Sequence, residues 1–218
     1  MIRAVLFDLD GTLLDTLQDL ADAVNAALTA LGVPSHPVDA YRYFVGDGVE
    51  TLMRRALPSG AAEDAALLRR AVELQSAEYR HRWHAKTRPY PGVIEMLADL
   101  ERRRIRLAIL SNKPDAAVSE VVRFFFPKVR FEIVRGALAG VPVKPDPGSA
   151  LRVAEDMRVD PRDFLYVGDT NTDMRTARAA GMLPVGALWG FRTAAELKES
   201  GAARLISRPG DLLALLTS

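Results

Sequence analysis

Cysteine is absent from the 218 residues, which removes disulfides, thiolate metal sites, iron–sulfur clusters and a cysteine nucleophile together. Long apolar runs are missing as well. No segment approaches the ~18–20 residues needed to span a bilayer, and Met1-Ile2-Arg3-Ala4-Val5-Leu6-Phe7 meets Asp8 too early to form a signal-peptide core. The expectation is a cytoplasmic protein without a membrane partner. Charge of one sign is equally scarce: Lys plus Arg total 29 against 28 for Asp plus Glu. With no long basic run, the electrostatic footprint of a nucleic-acid binder is lacking. No internal repeat or low-complexity segment occurs either. What remains is 49% hydrophobic and 26% charged, enough for a core and enough for solubility, which excludes intrinsic disorder. The length suits one large domain, or one domain carrying a sizeable insertion.

Short, wholly apolar runs at Ala4–Phe7, Leu107–Leu110 and Phe164–Val167 have the look of strands buried on both faces. Pro184–Leu188 is a less clean example. Helical patterns of crossover length lie between the later runs, such as Gly92–Arg103 with Val93, Leu97 and Leu100 on one face. Another is expected to begin at Asp146-Pro147, and Thr170–Ala180 should form a helix that stops at Gly181. The fold class predicted is α/β, a Rossmann-like parallel-sheet core. Residues 15–88 differ. Leu17, Leu20, Ala21, Val24, Ala27, Leu28 and Leu31 keep the helical period, and further helices are expected over Val49–Leu57 and Ala62–Trp83. This predicts a helical cap at 15–88 inserted into a core made of 1–14 and 89–218, with hinges at Asp15-Thr16 and Arg88–Pro91.

Ligands of open parallel sheets bind beyond the carboxyl ends of the strands. There the chain places Asp8, Asp10, Gly11 and Thr12, then Ser111, Asn112 and Lys113, then Gly168, Asp169, Thr170 and Asp173, with Lys144 ahead of the Asp146-Pro147 helix start. Asp8 and Asp169, on two strand ends, suit a hard divalent cation such as Mg²⁺, which takes oxygen ligands, waters and a phosphate. Asp10 can offer its backbone carbonyl and keep its carboxylate free. Set against Mg²⁺ and Lys144, the four carboxylates Asp8, Asp10, Asp169 and Asp173 leave one formal negative charge; without metal the cluster would repel an anion. Any one of these Asp pairs could merely shape a turn or cap a helix, but their order along the chain makes coincidence a poor account.

Phe7-Asp8-Leu9-Asp10-Gly11-Thr12-Leu13, Ser111-Asn112-Lys113, Lys144-Pro145 and Gly168-Asp169-x-x-x-Asp173 resemble the four motifs of the haloacid dehalogenase-like hydrolase superfamily. The resemblance implies a Rossmann-like core with a helical cap inserted after the first motif. It implies Asp8 as a nucleophile that becomes phospho-aspartate and Asp10 as general acid and base. Asp8, Asp169 and the Asp10 carbonyl become Mg²⁺ ligands, with Asp173 supporting metal-bound water or Lys144. Ser111 and Lys144 become the clamp on the transferring phosphoryl oxygens. Thr12 and Asn112 are placed at the substrate. An acid at Asp10, where dehalogenases lack one and ion pumps carry Thr, implies turnover of phosphate esters.

The substrate should be chosen by the cap. Val45-Gly46-Asp47-Gly48-Val49 with Leu52 resembles the cap of phosphoglycolate phosphatases, which places Gly46 and Gly48 against a substrate carboxylate. Arg54 and Arg55 read mainly as solvated surface, and Arg102–Arg104 as a complement to a helix end. Trp189-Gly190-Phe191 also looks like that subfamily but reads as packing, and His81 and His84 lack a third metal ligand. The expected partner is a small phosphorylated metabolite, with 2-phosphoglycolate first, and the expected assembly a monomer or homodimer. Phosphosugar mutases of the β-phosphoglucomutase kind, nucleotidases and pyrophosphatases share the motifs. A phospho-acceptor signalling domain of receiver type is the alternative from another class.

Overall fold

The computed structural model describes residues 1–217. The chain forms two compact units, Met1–Leu14 with Pro89–Ser218, and Asp15–Arg88. It runs β1 (Ala4–Phe7), β2 (Leu14–Asp15), α1 (Leu17–Ala30), α2 (Tyr41–Phe44), α3 (Val49–Ala56), α4 (Ala65–Arg82), β3 (Arg88–Pro89), α5 (Val93–Arg102) and β4 (Arg106–Pro114). Then follow α6 (Asp115–Phe125), β5 (Phe131–Ala137), α7 (Gly148–Asp156), β6 (Phe164–Gly168), α8 (Asn171–Ala179), β7 (Leu183–Ala187), α9 (Ala194–Glu199) and β8 (Arg204–Ile206). Single-turn 3₁₀ segments lie between some of these, and a longer one follows β8.

The first unit is built on a six-stranded sheet of order β5-β4-β1-β6-β7-β8, parallel throughout. β1 and β6 are buried at every position, which is why they read as unbroken apolar runs. Alternate residues Ala4, Leu6, Ala108, Leu110, Phe164 and Tyr166 pack in one cluster with Ala150, Val153 and Ala154 of α7 and Ala177 of α8. The chain winds outward from β1 through β4 to β5, returns by α7 to β6 beside β1, and winds the other way to β8. That reversal next to β1 opens a crevice at the carboxyl ends of β4, β1 and β6.

Two strands of the six-stranded sheet, β5 and β8, escape the sequence reading, as do the two-residue strands β2 and β3. β5 is an edge strand whose Phe-Glu-Ile-Val-Arg run is only half buried, so it lacks the apolar continuity of its neighbours. β8 has three residues. The expected helix start at Asp146-Pro147 moves to Gly148: Pro147 takes the cap position, and Asp146 Oδ1 accepts the Gly148 N–H at 2.8 Å.

In the second unit α1 buries Leu17, Leu20, Ala21, Val24, Ala27 and Leu28, the stripe its periodicity demands. Leu52 and Met53 of α3 and Leu68 and Ala71 of α4 are buried as well. Asp64 caps α4 by accepting the Ala66 and Leu67 N–H groups. The short helix α2 is absent from the sequence reading; four residues carry too little periodicity to register.

Candidate active site

Register sets the level of the first unit's polar rim. Phe7 stands opposite Ile109 of β4 and Val167 of β6, so Asp8, Ser111 and Asp169 emerge together at the carboxyl edge of three adjacent strands. The Asp8 N–H donates to Val167 O at 2.9 Å. Asp8, Asp169 and Asp173 are buried, and one oxygen from each lies within 4.8 Å of the others. Lys144 reaches into this group, its Nζ 2.9 Å from Asp8 Oδ1 and 2.7 Å from Asp173 Oδ1.

The hydrogen-bonding supports of Asp169 and Asp173 come from three places in the chain. Asp173 Oδ2 accepts the Thr170 N–H at 3.0 Å and hydroxyl at 2.7 Å, closing a capping box at the start of α8. The cap therefore orients the carboxylate that holds Lys144. Asp169 Oδ1 accepts the Thr12 hydroxyl at 2.7 Å, and Asp169 Oδ2 accepts the Phe191 N–H at 2.8 Å. Gly11 has φ +86, and a Cβ there would lie 2.3 Å from Asp169 Oδ2. Both its conformation and its approach to the carboxylate call for glycine.

Burial is the main cause of an Asp8 carboxyl pushed up from 3.8 to about 7; the Asp173 charge adds to it, and Lys144 opposes. Asp169 is held well above the carboxylate range by burial, then by Asp173 and Asp8, against the Phe191 N–H and the Thr12 hydroxyl. For Lys144, burial works to lower the value, but the Asp173 and Asp8 charges outweigh it and hold the ammonium well above its ordinary range. Buried carboxylates crowded in this way are relieved by positive charge. Asp8, Asp10, Asp169 and Asp173 against Lys113 and Lys144 leave two formal negative charges, a deficit that one divalent ion cancels. Hard oxygen donors at this spacing fit such a cation.

Several sequence expectations meet a different geometry. The Asp10 carboxylate is not free: both its oxygens accept from Lys113 Nζ, at 2.8 and 2.9 Å, and its side chain stands outside the Asp8–Asp169–Asp173 group. Lys113, absent from the expected charge balance, therefore belongs in it. Thr12 is fully buried with its hydroxyl on Asp169 and its carbonyl on Trp189 Nε1 at 2.9 Å, so it positions a carboxylate where substrate contact was expected. Asn112 is likewise turned to the chain, its Nδ2 donating to Lys144 O at 3.0 Å and its Oδ1 accepting the Lys144 N–H at 2.9 Å. Ser111 is buried within β4, beyond the stretch paired with β1, and lines a small cleft with Asn112, Lys144 and Ser149.

Trp189-Gly190-Phe191 does more than pack. It braces the Asp8–Asp10 turn through Thr12 and fixes Asp169, and a Cβ on Gly190 would lie 2.2 Å from Asp169 Cβ. The signal available in the sequence was this segment's position just beyond an inner strand. Gly46 and Gly48 lie in the second unit with φ of +126 and +87, Gly48 capping α3. Arg55 is not simply solvated, since it donates to Phe44 O at 3.1 Å and pairs with Asp47 at 2.6 Å, tying that glycine turn to α3.

The model of the haloacid dehalogenase-like hydrolases matches residues 5–187. The chain is 40% identical over 182 residues to a phosphoglycolate phosphatase of Nitrosospira multiformis, covering 83% of this chain and 80% of that one. It is 36% identical over 217 residues to a phosphoglycolate phosphatase of Pseudomonas putida, covering 98% and 78%. The crystal structure of a predicted phosphoglycolate phosphatase from Haemophilus somnus superposes with a TM-score of 0.91 at 25% identity, covering 98% of this chain and 97% of that one. With a reversing parallel sheet, acids at the ends of β1 and β6 and a match spanning residues 5–187, the chain belongs to the haloacid dehalogenase-like hydrolases.

Proposed function

We propose that this phosphatase hydrolyses a small phosphomonoester, first among them 2-phosphoglycolate, through a phospho-aspartate on Asp8 and with Mg²⁺. The observation that carries the reading is the buried group of Asp8, Asp169 and Asp173 with Lys144 bound between two of them. The names of the relatives support the substrate class. Asp8, Asp169, the Asp10 carbonyl and Asp173, the last directly or through water, would hold Mg²⁺, which when bound supplies charge that stabilises phosphoryl oxygens.

Asp8 attacks phosphorus in line. Its Oδ–P bond forms as the ester O–P bond breaks, and the departing alkoxide takes a proton from the Asp10 carboxyl. In the second half, water attacks the same phosphorus and gives its proton to Asp10 as the Asp8–phosphorus bond breaks, which restores both residues and releases phosphate. Lys144 and Ser111 serve the phosphoryl oxygens as fixed donors. A carboxylate on the substrate has a candidate partner in the lysine that holds Asp10.

The reading is tested by supplying phosphorylated metabolites, sugar phosphates included, with and without Mg²⁺, and measuring free phosphate. Mg²⁺-dependent phosphate release, greatest for 2-phosphoglycolate, is expected. Isomer formation without free phosphate would instead make the protein a mutase, and a phosphoenzyme persisting for minutes would make it a signalling domain.

A further inference from the structure

Asp10 and Lys113 form an ion pair that the proposed chemistry does not use as it stands. Both Asp10 oxygens face Lys113 Nζ, and the two side chains are 11% and 6% exposed. In this arrangement the carboxyl group assigned to the leaving oxygen is turned to an ammonium instead. We propose that Lys113 selects phosphomonoesters whose alcohol portion carries a carboxylate, and that this anion draws the ammonium off Asp10. The inference deepens the phosphatase reading and rests on it.

The argument is one of placement and competition. A residue that protonates the leaving oxygen must touch the alcohol portion of the substrate, so the ammonium bound to that residue lies beside the same portion. The lysine's base is rigid. Ser111 Oγ accepts the Lys113 N–H at 3.3 Å, and Asn112 is hydrogen-bonded in both directions to the Lys144 peptide. Only the flexible four-carbon stem has to move to re-aim the charge. Lys144 cannot serve in its place, because it is enclosed between Asp8 and Asp173. A neutral alcohol has nothing to set against the Asp10 carboxylate for possession of the ammonium, whereas a second carboxylate competes on equal terms. Recognition of the right alcohol and freeing of the Asp10 side chain thereby become one event.

The test compares 2-phosphoglycolate with ethyl phosphate, whose alcohol portion is neutral, in the full-length protein with Mg²⁺ supplied. Wild type, K113M and K113R are assayed, and p-nitrophenyl phosphate serves as a general substrate. The readout is the ratio of kcat/KM for the first two esters, which is independent of the active fraction of each preparation. The wild type is expected to prefer the carboxylated ester. K113M should lower that ratio about tenfold or more, chiefly through KM for 2-phosphoglycolate, and K113R should restore much of it. Glycolate should inhibit the wild type competitively and K113M far less.

An unchanged ratio in K113M, or a wild type without preference, overturns the inference. If the wild type releases phosphate from none of the three esters, the phosphatase reading itself falls, and the inference falls with it.

Discussion

Asp8 and Asp10 stand two residues apart yet are held by different lysines, Asp8 by Lys144 and Asp10 by Lys113. The division matches two jobs, one at phosphorus and one at the leaving oxygen. Asp8→Asn removes the attacking oxygen's charge and should lower phosphate release by about a thousandfold or more. Asp10→Asn should let phosphoenzyme form slowly and then stall, seen as acid-quenched protein carrying phosphate from labelled substrate. Near-normal turnover in either variant would contradict these roles. Thr12 acts at one remove. Its hydroxyl supplies one of the two hydrogen bonds that orient Asp169, so Thr12→Val should weaken Mg²⁺ binding about tenfold by titration calorimetry, and Thr12→Ser should recover most of it. A Thr12 that contacted substrate would change KM for the ester and leave metal binding alone.

Elements explain why these residues arrive in place. β1 ends on a turn that only Gly11 can make so close to Asp169, and α8 starts with a cap whose acid, Asp173, is shared with Lys144. Local chain chemistry and the site therefore use the same atoms. In the second unit Asp19 of α1 shows the same economy without chemistry. It is buried, and its carboxylate accepts the Lys86 N–H, the Thr87 N–H at 2.8 Å and the Thr87 hydroxyl at 2.8 Å, tying the start of the helical segment to its end. Asp19→Ala would leave three donors without a partner and should destabilise the protein by about 3 kcal/mol. The midpoint of urea unfolding measures this; a variant as stable as wild type would mean that water replaces the carboxylate.

The whole molecule's response to pH follows from the crowding of its acids. A folded-state Asp8 value of about 7, against 3.8 for the unfolded group, means the native state binds the proton more tightly. Without metal, the cost of an ionised Asp8 is fully present above about pH 7, shrinks as pH falls through that value and disappears below 3.8. Asp169, also raised, acts in the same direction. Lys144 is raised above 10.5, and its contribution stays constant through this window. The thermal midpoint of metal-free protein should therefore rise as pH is lowered from 8 to 6. Mg²⁺ competes with those protons, so saturating Mg²⁺ should raise the midpoint most at pH 8 and flatten the pH dependence; at a hundred times its Kd a ligand stabilises by about 2.7 kcal/mol. An upward slope with pH in the metal-free protein would contradict the burial of these acids.

The sequence by itself determined the α/β class, the helical character of residues 17–83 and the acids at the ends of β1 and β6. These are local properties: β1 and β6 lie inside the sheet and must be apolar throughout, α1 must repeat every 3.6 residues, and chemistry at a strand end follows its apolar run directly. Edge strand β5, with Glu132 paired to Arg106 of the neighbouring strand, was illegible because its environment is half solvent. Only the tertiary structure decided which lysine holds which aspartate, that Thr12 and Asn112 serve neighbouring residues, and that Trp189-Gly190-Phe191 supports Asp169. These pairings join positions from 22 to 177 residues apart. A hydrogen bond across such a separation leaves no period or spacing in the chain, because sheet register and turn geometry alone bring its two ends together.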